Sequence, residues 1–139
     1  MEKQNKTAPL DITAFDAVAE SEEGYDLELK HADGSTGTGV IVTIIGKHSD
    51  VVVAAQRVRL NKLVRDEQMA KRRGKDVEID VEKLADQARD DAILRVTGWK
   101  NVKQEFSKEL LKAALVRNPH WIDQIVSASD DAGNFIKSS

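Results

Sequence analysis

Apolar and polar residues alternate through Tyr25, Leu27 and Leu29, with Asp26, Glu28 and Lys30 between them. A period of two puts each set on its own side of an extended chain, so the spacing predicts a half-buried strand over 25–31, closed by Asp33-Gly34-Ser35. The β-branched run 40–45 stops at Gly46 and pairs most simply as the return strand of an antiparallel hairpin. A lone hairpin is marginal and needs a helix or a partner chain over one face.

The period then changes. Ser49 and Asp50 can cap a helix that meets neither Gly nor Pro before Gly74, about 25 residues or roughly 37 Å long. At 100° per residue Val53, Gln56, Leu60, Leu63, Val64, Glu67 and Ala70 share one side, the expected core stripe. Val51, Val58 and Met69 fall on the other side, flanked by Lys62 and Arg65. A second apolar stripe is either sandwiched in the fold or open to another chain, so these five residues are the candidate partner-binding set.

Asp80 caps a predicted helix over 81–97, with Val81, Leu84, Ala85, Ala88, Ala92 and Val96 at helical spacing and Gly98 placed to end it. Ser107 is an N-cap, with Phe106 before it and Leu111 at the fourth helical position forming a hydrophobic staple, so a helix runs over 108–117. Asn118-Pro119 opens a last helix to about residue 128, with Ile122, Ile125 and Val126 facing inward. The fold class is therefore α+β: an N-terminal antiparallel hairpin, one long helix and a C-terminal unit of about three helices. Residues 1–24 read as a flexible arm with one short helix over 12–19, 25–128 as the domain, and 129–139 as a fraying tail.

Composition narrows the chemistry. The chain of 139 residues is 40% hydrophobic but only 4% aromatic, which makes the core aliphatic. It has no cysteine, so disulfides, thiolate metal sites and thiol catalysis are excluded. No stretch approaches the roughly 20 apolar residues of a membrane span, and the polar first nine residues lack the apolar core of a secretory signal. Met1 reads as the start of the mature protein, and the inside of the cell as its expected location. His31, His48 and His120 have no histidine three or four positions away to make a metal face, and Asp90-Asp91 and Asp130-Asp131 are sequence neighbours that point about 100° apart on a helix. The Gly-rich stretch 34–39 leads into a strand instead of a helix, which is the wrong order for a phosphate loop. No cofactor is expected.

Charge is unevenly spread. Residues 57–75 hold eight basic side chains against Asp66 and Glu67, in a chain whose net charge is -3. The basic helix could meet phosphates, which makes a nucleic-acid-binding regulator the alternative reading; no aromatic interleaves the charges, so stacking on bases is not expected. An acidic protein partner would suit the same patch.

The order Gly98-Trp99-Lys100-Asn101-Val102, Phe106-Ser107, Leu110-Leu111, Pro119-His120-Trp121-Ile122, Gln124-Ile125 and Asn134-Phe135 resembles the tail assembly chaperones of long, non-contractile-tailed bacteriophages. His31-Ala32-Asp33-Gly34-Ser35, Gly46-Lys47-His48-Ser49-Asp50 and the long basic helix agree with it, so the likeness spans 25–135. The resemblance implies a small α+β fold and a non-catalytic protein that binds the tape-measure protein before tail-tube protein polymerises around it. It further implies action in the cytoplasm of the bacterial host and absence from the mature virion. The stripe of Val51, Val58 and Met69 is expected to serve assembly or partner binding, with self-association its expected form, since a chaperone that coats a long helix gains from several linked sites. A structural tail or head-tail joining subunit is the remaining alternative. Trp99, Phe106, Trp121 and Phe135 read as core pegs between the helices.

Overall fold

The structure is a computed structural model describing residues 9–76 and 79–136. A three-stranded antiparallel sheet carries helices on one face, the mixed α+β class expected. The predicted hairpin is present: β1 (Tyr25–Lys30) pairs with β2 (Gly37–Ile44), with Leu27 opposite Val42 and Tyr25 opposite Ile44. The register slips between Glu28 and Lys30, and the Glu28 carboxylate accepts a hydrogen bond from the Gly39 N–H at this bulge. Alternation sets the two faces. Leu29, Val42 and Ile44 are buried, whereas on the wet face Asp26 accepts hydrogen bonds from the Thr43 hydroxyl and the Lys100 ammonium.

The third strand was not foreseen. The helix expected over 81–97 ends at Arg95, and β3 (Val96–Lys100) follows with no intervening loop, pairing Trp99 with Val42 and Gly98 with Thr43. Gly98 is therefore a strand residue and not a helix-ending cap. Thr97 and Trp99 suit a pleated surface, and the exposed edge of β2 supplies the hydrogen bonds that a longer helix would have had to make internally.

The remaining helices are α1 (Ala17–Glu22), α2 (Asp50–Arg72), α3 (Val81–Arg95), α4 (Lys108–Arg117) and α5 (His120–Asp130). Ser107 caps α4 as expected, its Oγ accepting from the Leu110 N–H. Asn118 instead turns back to seal the end of α4, donating from Nδ2 to the Ala114 carbonyl, and α5 starts without a side-chain cap. Leu111 and Leu115 of α4, Ile125 of α5 and Ala92 of α3 close over Leu29, Val42, Ile44 and Val96 to make the core.

Both ends of the domain extend further than the sequence reading placed them. The expected helix over 12–19 resolves into a 3-10 turn (Ile12–Ala14) and then α1, in which Ser21 is buried. Gly46 explains the contact: its N–H donates to the Ser21 carbonyl, and a Cβ there would lie 2.7 Å from Ser21 Oγ and 3.1 Å from the Phe135 ring. Helix α5 runs two residues beyond the expected end, a 3-10 turn (Ala132–Phe135) follows, and Phe135 is buried edge-on to Tyr25. The Phe135 ring and the bond from Asn134 Nδ2 to the Ala128 carbonyl hold this polar segment against the domain. Among the described residues no helix is long and apolar enough to cross a membrane.

Candidate functional site

The long helix starts and stops where its sequence says. Ser49 Oγ accepts from the Val52 N–H, Asp50 lies in the first turn, Lys71 and Arg72 lie in the last, and Gly74 leaves the helix at φ +69°. What the helix packs against differs from expectation. Val52, in its first turn, is the only residue of α2 that is buried. Leu60 is 60% exposed, and Leu63 and Val64 are exposed too, so the stripe assigned to the core lies in water. The correction has a simple cause: α2 is buried only in its first turn, and beyond Arg59, which reaches Asp91 of α3, every side chain from Leu60 to Met69 is exposed.

The candidate partner-binding residues are displayed together along this projection. Val51, Val58, Lys62, Arg65 and Met69 are all exposed, Val58 at 68%. Helix α2 thus presents apolar side chains on two sides.

Helix α3 returns toward the core beside it. Asp80 caps α3, with Oδ1 accepting from the N–H groups of Glu82 and Lys83. Its distal half is open as well: Val81 is exposed and Leu84 is 54% exposed, whereas Ala92 is fully buried. Among the described residues one ion pair joins the two helices, Arg59 with Asp91 at 3.8 Å, near their core-proximal ends.

At that junction lies a residue sequence reasoning passed over. Arg95, 2% exposed, donates from Nε and Nη2 to the two Asp91 oxygens at 3.3 and 3.2 Å, and from Nη1 to Asp130 Oδ1 at 2.6 Å and Ser129 Oγ at 3.0 Å. Ser129 in turn donates to the Ile45 carbonyl at 2.6 Å. The network ties α3, α5 and the exit of β2 into one base for the projecting helices. The i, i+4 spacing of Asp91 and Arg95 was the available signal; burial could not be read from it. Lys108 completes the joint by donating to the carbonyls of Ile93 and Val96 at the end of α3, and burial pushes its ammonium pKa down.

A second concavity lies over the sheet. Leu29, Val40, Trp99, Leu110, Ala114 and Trp121 line an apolar groove of about 190 Å³. Trp99 meets Phe106 edge to face at 5.0 Å and donates from Nε1 to the Gln104 carbonyl, while Trp121 donates from Nε1 to the Lys30 carbonyl. These rings are half-buried and packed against the core, with polar atoms paired within the chain.

Of the groups weighed for catalysis, Asp91 and Asp130 are brought together only as the two ion-pair partners of Arg95. His31 and His48 are exposed, and among the described residues no three of His, Asp and Glu are placed to hold a metal ion. The Gly-rich turn is organised by Asp33, which accepts from the Thr36 hydroxyl and from the N–H groups of Thr36 and Ser35; these bonds hold its carboxyl far below the usual range. No family model, curated protein or solved structure matches this chain.

Proposed function

We propose that the chain is a non-catalytic binding protein of the phage tail assembly chaperone kind, which holds the tape-measure protein soluble in the host cytoplasm until tail-tube protein assembles around it. The observation that carries the reading is the exposure of Val51, Val58 and Met69 along a projecting basic helix. A chaperone for a long apolar helix needs a rigid complementary surface that is free before the partner arrives, and helix-against-helix recognition uses side chains at this spacing. Lys62 and Arg65 beside the stripe favour acidic residues on the partner and would speed encounter more than they add affinity. The order of residues that resembles such chaperones and the α+β fold support the reading.

Co-expression with the tape-measure protein of the same phage tests it. The expected result is a soluble complex that purifies as one species, lost when Val58→Glu and Met69→Glu are introduced together. Both positions are exposed, so the variant is expected to melt within about 2 °C of the parent. A tape-measure protein that stays insoluble with the parent chain, or a complex that survives both glutamates, would overturn the reading.

A further inference from the structure

The long helix carries a third face, set apart from its two apolar stripes. At 100° per residue Arg57, Asn61, Arg65, Gln68 and Arg72 fall within about 80° of one another, and no other residue from 57 to 72 shares that sector. The row is three guanidinium groups and two carboxamides over roughly 22 Å of helix. All five side chains are exposed, and among the described residues none of them makes an ion pair or a hydrogen bond within the chain. The row points outward. Buried Val52, Arg59 with its bond to Asp91, and half-buried Ala70 lie on the opposite side of the helix, about 160–180° from the centre of the row. Asp66 and Glu67 lie on that rear half too, about 120° or more from the centre. Asp50 is in line with the row but belongs to the first turn, roughly 10 Å before Arg57. Lys62 and Lys71 stand to either side of the row, about 100° and 80° from its centre.

We infer that this row binds duplex DNA, with α2 lying in the major groove. A protein interface has an apolar centre inside a polar rim, and the row has no apolar member, whereas a protein–DNA interface is polar and strongly positive. Guanidinium and carboxamide groups are the ones that bond phosphate oxygens and the base edges of the groove. A groove about 12 Å wide admits a helix of about 10–12 Å, and its walls are the two phosphate strands, which is where Lys62 and Lys71 stand. Entry needs a helix that is free on its sides, and every side chain from Leu60 to Met69 is exposed. Single strands are held by stacking on aromatic rings, which α2 lacks, and the major groove of an RNA duplex is too narrow for a helix. The net charge of -3 is carried elsewhere, since the sector of the row holds no carboxylate from 57 to 72. Arg65 borders the stripe of Val51, Val58 and Met69, but the row is a distinct surface, and the inference does not rest on the tape-measure reading.

The test is the fluorescence anisotropy of a labelled DNA duplex of about 20 base pairs, titrated with the purified full chain. Binding is expected with a dissociation constant on the order of 10 µM at about 50 mM salt, and neutralising three phosphates makes it weaken about 40-fold between about 50 and 200 mM. Arg57→Gln with Arg65→Gln and Arg72→Gln should weaken it about tenfold or more. Helical circular dichroism should not change, because these side chains make no bond within the chain. Lys103→Gln with Lys112→Gln and Arg117→Gln removes the same charge from exposed positions outside α2, and binding should stay within about twofold of the parent. Poly-glutamate of matched charge, single-stranded DNA and an RNA duplex serve as competitors, each expected to displace the probe at least about fivefold less well than unlabelled duplex DNA. A parent that does not bind, an arginine variant that unfolds or binds like the parent, a control variant that weakens as much as the arginine variant, or a competitor equal to duplex DNA would each overturn the inference. Equality with poly-glutamate would make the row a surface for an acidic protein.

Discussion

Replacing Arg95 by Met keeps the aliphatic stem of the side chain and deletes every guanidinium donor at the joint between α3, α5 and β2. Arg95 is 2% exposed and Asp91 is 12% exposed, so the change strands a carboxylate in a poorly hydrated place. Breaking a buried pair from one side costs about 3–5 kcal/mol. Two features pull the value to the low end. Asp130 is 48% exposed and rehydrates, and Arg59 remains within 3.8 Å of Asp91. The expected loss is about 3 kcal/mol, which for a chain of this size lowers Tm by about 10 °C. Urea denaturation followed by circular dichroism should show a lower midpoint at unchanged slope. The physical claim is that the stranded charge dominates the cost, and it has its own check. Arg95→Met with Asp91→Asn removes that charge and should be more stable than Arg95→Met alone. A single variant that melts within 2 °C of the parent, or a double variant whose losses simply add, would refute the reasoning.

Trp121→Phe keeps the ring packing but removes the bond to the Lys30 carbonyl, which retains a weaker donor in Gln124 Nε2 at 3.3 Å; a loss of about 1 kcal/mol is expected in the same urea assay. Lys108→Met leaves the Ile93 and Val96 carbonyls without their shared donor and should cost about 1–2 kcal/mol, with amide exchange fastest at the end of α3. Hydrogen bonds from Lys100 and Thr43 hold the Asp26 carboxyl below its usual range, and those at Asp33 do the same there. Depressed carboxyls contribute stability that is complete above the unfolded value of about 4 and is lost as pH falls through the folded values, so Tm should hold from pH 7 to 5 and drop below about pH 4. Calorimetry of Asp26→Asn should give a shallower acid limb, and parallel limbs would count against this origin.

Much of the fold could be read from local pattern because local physics decides it. The hairpin follows from alternation through Tyr25, Leu27 and Leu29 facing a β-branched run, and α2 and α4 begin at serines whose hydroxyls do make the capping bonds. Strand β3 escaped because Val96 continues the spacing set by Ala88 and Ala92, and Gly98 offers a plausible helix end. Only the pairing of Trp99 with Val42, 57 residues earlier in the chain, distinguishes strand from helix there, and a window of neighbours does not contain it. The same limit applies to the termini: Ser21 and Phe135 meet at Gly46, a contact among three distant segments.

The surface was legible in a different sense. Periodicity shows that a helix has an apolar side, and it says nothing of what lies opposite. The spacing of Leu60 and Val64 predicts a core stripe because that is the commoner use of such a pattern, which leaves the stripe through Val58 and Met69 as the candidate partner surface. The structure exposes both, since the base formed by Val52, Ala92 and Arg95 engages only the near ends of α2 and α3. An amphipathic helix held by one end is in the position of an edge strand: its own chain does not cover the surface, which is left open to association.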